Sequence, residues 1–156
     1  MIARLFWIAL AVFTPKPPPE QPIPFSHKVH AGVGLACATC HPIKAPGDAA
    51  GIPPEGVCMG CHATVKKDSP AIAKLAAFAR DARRVPWVRV YRLPKTVYFS
   101  HEIHHKQAKV ECAACHGPVA ERDAIGLERS ILMAECMACH DRRGASNKCD
   151  LCHDSH

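Results

Sequence analysis

Apolar residues recur at helical spacing over one stretch of this chain. In "DSPAIAKLAAFARDARRVP", Leu75, Phe78, Ala79 and Ala82 share a face, Ser69 is placed as N-cap and Pro70 opens the first turn. Pro86 disfavours helical geometry at Val85, so the spacing predicts a helix that starts at Pro70 and ends there. "PWVRVYRLP" then alternates apolar and polar positions, which predicts a short extended strand from Trp87 to Leu93. An apolar run from Leu5 to Phe13 follows a lone Arg4; it is too short to span a bilayer and has the length of a secretory apolar region or the stump of an anchor. "TPKPPPEQPIP" reads as an extended, semi-rigid spacer. Everything else lacks a long period of either kind.

What the rest of the chain has instead is a five-fold motif. "CATCH" (Cys37, Cys40, His41), "CMGCH" (Cys58, Cys61, His62), "CAACH" (Cys112, Cys115, His116), "CMACH" (Cys136, Cys139, His140) and "CDLCH" (Cys149, Cys152, His153) use all 10 cysteines. Two thiols three positions apart span the two vinyl groups of a heme, and the adjacent imidazole lies under the ring as an axial iron ligand. Structural zinc needs four closing ligands and gives no reason for a histidine after every second cysteine. Thioredoxin-like redox chemistry calls for one such pair beside a βαβ pattern, which is missing. The motifs therefore predict five covalently bound heme c groups, and with them export, because heme is attached to such motifs outside the cytoplasm.

Composition alters the expected fold. With 156 residues for five hemes and nine aromatic residues, the chain cannot wrap each cofactor in its own core. The porphyrins must supply much of the apolar interior, as metals and disulfides do in other small scaffolds. The formal charge of +6 suggests acidic partners or nucleic acid if read alone. Each oxidised heme adds about −1 through its propionates, so the loaded protein falls to about +1 and nucleic-acid binding is not indicated.

The body repeats itself. "FSHKVHAGVGLACATCH" begins at Phe25 and "FSHEIHHKQAKVECAACH" at Phe99; a second motif follows the first by 21 residues in one copy and 24 in the other, and the second copy adds a third motif 13 residues on. This predicts a two-heme module over 25–66 and a three-heme module over 99–156. They are joined by a helical and extended linker over 67–98 and preceded by an N-terminal segment over 1–24. Six histidines lie outside the motifs: His27, His30, His101, His104, His105 and His156. Five irons that each already have one histidine therefore have enough imidazoles for a second. The pairs His27/His30 and His101/His104 project from one side of a helical turn, so each pair must serve two neighbouring hemes. His105 is taken for the fifth iron, with His156 and Met133 as alternatives. An iron closed on both faces passes electrons but binds no substrate.

Phe-Ser-His-x-x-His ahead of closely spaced heme motifs resembles the class III, cytochrome c3-like multiheme cytochromes c over residues 25–153. The resemblance implies that His27 serves the first heme and His30 a neighbour, with His101 and His104 doing the same in the second copy. It also implies a distal histidine just ahead of the second motif, where this chain reads "SILMAEC". The stretch from "GIPPEGVCMGCH" to "FSHEIHH" is similar to the pentaheme subunits that accompany membrane quinol-oxidising complexes such as alternative complex III. That implies iron–sulfur or molybdopterin-like and membrane subunits as partners.

The expectation is a small multiheme cytochrome c with little regular secondary structure, a few short helices and loops around stacked hemes, and two duplicated modules joined by a helix. Its expected function is electron transfer, not catalysis, on the periplasmic face of a membrane. A free periplasmic shuttle and a multiheme nitrite or hydroxylamine reductase are the alternatives.

Overall fold

A computed structural model of the protein describes residues 15–153. Among these the regular elements are short helices, with isolated bridges and no strands. In chain order they are α1 (His27–Gly32), α2 (Cys37–Cys40), α3 (Glu55–His62), α4 (Pro70–Arg80), a π-helix (Glu102–Gln107), α5 (Cys112–His116), a 3-10 turn (Val119–Glu121), α6 (Met133–Arg143) and a 3-10 turn (Cys149–Leu151). Each cysteine motif falls on one of the helices or turns. The expectation of short helices and loops holds. The N-terminal apolar run and His156 lie outside the described residues.

α4 forms where the apolar spacing put it, with Ser69 at the N-cap and Pro70 in the first turn. It ends earlier than expected, at Arg80 instead of Val85. Ala82 takes a positive φ of 49°, a left-handed conformation that breaks the helix before Pro86 can act. Ala82 thus leaves the apolar face, and Val85 is freed for another task. Its N–H donates to Glu55 Oε1 at 2.7 Å, and Arg84 stands 3.5 Å from the same carboxylate. Glu55 is buried, and these partners offset the cost of burying its charge. They also lock α3 to the chain beyond α4.

The predicted strand at 87–93 does not form a ladder. Its one strand-like neighbour is a side chain: Gln21 Nε2 donates to the Val88 carbonyl at 2.9 Å and Gln21 Oε1 accepts from Val88 N–H at 3.0 Å. Alternation marks a half-covered extended segment, and here one amide takes the place of a partner strand.

The apolar interior is small. Ile23, Leu75 and Val85 are buried, with Cys58, Met59, Ala71, Ile72, Phe78 and Trp87 packed against them. This cluster joins the spacer, α3, α4 and the start of the extended segment. α1 instead packs on the 3-10 turn that follows the third motif, where Lys28 N–H donates to the Arg122 carbonyl and the Ser26 hydroxyl to Asp123. From residue 99 to 153 no apolar side chain is buried. Among the described residues no helix is long and apolar enough to cross a membrane.

Candidate heme-binding sites

The two Phe-Ser-His-x-x-His segments fold alike at the level of rings. Phe25 stacks on His30 at 4.4 Å and meets His27 edge-on at 4.8 Å; Phe99 does the same with His104 at 4.5 Å and His101 at 4.9 Å. Ser26 Oγ accepts from Val29 N–H and Ser100 Oγ from Ile103 N–H, which starts each turn. Their backbones nevertheless differ. Six residues separate His30 from Cys37, and seven separate His104 from Cys112. The extra residue is absorbed by a wider π turn, closed by Ala108 N–H on the Ile103 carbonyl at 2.8 Å.

Each of these four histidines faces a motif histidine. The ring centres of His27 and His41 are 6.3 Å apart, His30 and His62 6.1 Å, His101 and His116 6.4 Å, and His104 and His140 6.0 Å. Direct ring stacking would bring centroids closer. With a metal–nitrogen bond of about 2 Å on each side, two imidazoles on opposite faces of one metal ion have centres about 6 Å apart. The donor set and spacing therefore fit an iron, which each of these histidine pairs would hold between its two rings.

Backbone carbonyls select the ring nitrogen that is left free. The Nδ1 atoms of His30, His41, His62, His101, His104, His105, His140 and His153 lie 2.7–3.0 Å from the carbonyls of Ser26, Gly51, Val65, Asp48, Ser100, Val110, Ser146 and Thr96. With Nδ1–H donating there, the lone pair sits on Nε2, the tautomer a metal needs. His27 Nδ1 is buried without a partner, and its ring is oriented by Phe25 and His41 instead. Burial, and then His41 and His30, lower the pKa of His27. Burial, and then His101 and His41, lower that of His116. In both rings the shift favours the neutral form.

The apolar surface fits the same group. Among the described residues, every exposed large apolar side chain apart from Ile52 and Val88 lies within four residues of a motif or of one of the facing histidines. They include Val29, Val33, Leu35, Val57, Val65, Tyr98, Ile103, Leu132, Met133 and Leu151. A chain that ends with such side chains uncovered needs a large flat apolar body to cover them. All ten cysteines are free of disulfides and so available for thioether bonds. No group of three or more His, Cys, Asp or Glu side chains able to hold a metal occurs among the described residues.

The fifth motif differs. His153 and His105 are anchored through Nδ1, yet neither has a facing ring among the described residues. Met133, the other alternative, is an exposed side chain in the first turn of α6. Trp87 joins the apolar cluster and lies 6.3 Å from Phe25, whereas Tyr91 meets His116 edge-on at 4.5 Å and donates to its carbonyl. Two contributors were not foreseen from the sequence, the Phe25 and Phe99 rings and the row of carbonyl acceptors. The repeated Phe was a visible signal; carbonyl positions leave none.

Comparison with known proteins agrees with this chemistry. Residues 97–154 match the family described as cytochrome c7 and related cytochrome c. Over 161 residues, the chain is 31% identical to the multiheme cytochrome c subunit of menaquinone reductase from Nitratidesulfovibrio vulgaris, covering 86% of this chain and 77% of that protein. The matched family and this shared length lead to one conclusion: the chain belongs to the multiheme c-type cytochromes, and it is an electron-transfer protein that carries heme c.

Proposed function

We propose that this chain binds five hemes c, one on each motif, and relays electrons as the cytochrome subunit of a quinone-reacting membrane complex on the periplasmic side. The four facing histidine pairs carry this reading. On it, His41, His62, His116, His140 and His153 are the proximal ligands, and His27, His30, His101 and His104 are the distal ligands of the first four sites. The fifth distal ligand is assigned to His105, whose Nδ1 is fixed by the Val110 carbonyl so that Nε2 is free. Heme supplies the one-electron iron couple; the protein supplies the closing ligands, the orientation and the apolar cover.

The relative's name supplies the context. That protein is a menaquinone reductase subunit, and 77% of its length aligns here, which supports partner subunits of a quinone-reacting complex; that these include iron–sulfur or molybdopterin-like and membrane subunits is part of the proposal. Pentaheme stoichiometry and resemblance to the alternative complex III subunit belong to the same reading. Mild detergent extraction tests it. The chain is expected to co-purify with quinone-reacting subunits, carry five hemes by pyridine hemochrome against protein mass, and show a low-spin ferric spectrum. Recovery as a free soluble protein would sink the complex assignment and favour a shuttle. Rapid carbon monoxide binding by the intact reduced protein would favour a reductase with an open iron.

A further inference from the structure

We propose that the heme sites are ordered in space as second, first, third, fourth, fifth, so that the Cys58–His62 site is one end of the relay and the first motif is internal. This rests on the reading that each motif binds one heme.

Four junctions define the order. α1 joins the second site to the first, because His30 faces His62 and His27 faces His41 from one helical turn. The thiols agree: burial, and then the adjacent Cys40, raise the pKa of Cys58. The first site meets the third through the loop that follows His41. That loop is tied back by Gly51 O on His41 Nδ1, and its outer side lies on the π-helix. Glu102 N–H donates to Gly47 O at 3.0 Å, His101 Nδ1 contacts Asp48 O at 2.7 Å, and Lys106 Nζ donates to Ile43 O at 3.0 Å. A Cβ on Gly47, which has φ +95°, would collide with Glu102 Cβ, so the approach is as close as backbone allows. The attachment thiols of these two sites, Cys37 and Cys112, also interact directly.

The π-helix joins the third site to the fourth through His101 and His104, and Cys115 neighbours Cys139. The fourth meets the fifth across the short link after α6. There Ser146 O receives His140 Nδ1, Asn147 Nδ2 donates to Met137 O at 3.2 Å, and Cys136 neighbours Cys152. Among the described residues the second site has no such onward junction. Beyond its own turns, the hydrogen bonds, ion pair and ring contacts of α3 run to Arg84, Val85 and His30. Chain order thus differs from path order, because the loop after the first motif, not the second motif, bridges the two halves.

The order is read by timed electron injection. Thr64, exposed just beyond His62, is replaced by cysteine in the holoprotein and labelled with a ruthenium polypyridyl. A flash with a sacrificial amine donor forms Ru(I), which passes one electron to a ferric site and returns to Ru(II). His27→Met or His101→Met makes the first or the third site the high-potential sink, identified by its thioether band. We expect the first-site sink to fill several-fold faster than the third-site sink. Equal filling, or a faster third site, overturns the order. Heme content of each variant, measured separately, reports on the five-heme reading. A cryo-EM map of the unaltered holoprotein reads the order without ligand changes: the iron of the Cys58–His62 site should have a single neighbouring heme in contact, and two would refute the proposal.

Discussion

The two Phe-Ser-His-x-x-His segments hold their rings in nearly the same arrangement, yet they stand in different surroundings. α1 sits in the part of the molecule that has an apolar cluster of its own, built on Ile23, Leu75 and Val85. The π-helix sits in residues 99–153, where no apolar side chain is buried. Charge divides along similar lines. Residues 55–95 hold nine Lys and Arg against three Asp and Glu, whereas residues 96–156 hold seven against nine. Ring geometry is therefore independent of helix type and of the local core. Side chains supply an interior around α4; on the proposed reading, heme supplies it in the C-terminal part.

The largest test of this difference is to withhold heme. Expressed without its attachment machinery, the chain should lose cooperative folding, and limited proteolysis should cut residues 99–153 before the α3–α4 region. Equal protection of both would show that the apolar cluster contributes nothing on its own. Next comes ligand removal, clamp by clamp. His27→Ala with His30→Ala, or His101→Ala with His104→Ala, should each convert two sites to high spin in the ferric spectrum and admit carbon monoxide on reduction. An unchanged spectrum would remove those residues from the ligand set.

Leu75→Ala should cost about 2–5 kcal/mol, because it opens a cavity in the only apolar cluster described, and a thermal melt should reveal it. Ser26→Ala should cost about 1 kcal/mol, as loss of a helix cap does. Ser100→Ala should cost less, since Ser26 also donates to Asp123 at 2.7 Å and ties α1 to the other part. Equal costs would mean that the cap, not the tie, matters.

The smallest effect is a pH dependence. The hydrogen bond from Arg122, at 2.8 Å, holds the Glu128 carboxylate below its usual range. A lowered folded pKa gives stability that is present above the unfolded value and lost as pH falls through the folded one. Glu128→Gln should therefore melt slightly lower than wild type near neutral pH, and the gap should close in acid.

The sequence by itself determined the chemistry. The proposed attachment depends on residues three and four apart, so Cys37, Cys40 and His41, and the four repeats of that arrangement, stood out as candidates without coordinates. The helix beginning at Pro70 was legible too, because its caps and apolar face are local. Tertiary structure alone decided what depends on distant backbone. It ended α4 at Arg80, replaced the strand at 87–93 with a clasp from Gln21, and brought His27 opposite His41 and His104 opposite His140. It also laid the loop after the first motif on the π-helix. Those pairings are made by carbonyls and turns whose positions no spacing along the chain specifies, since hydrogen-bond partners are chosen by packing, not by sequence separation.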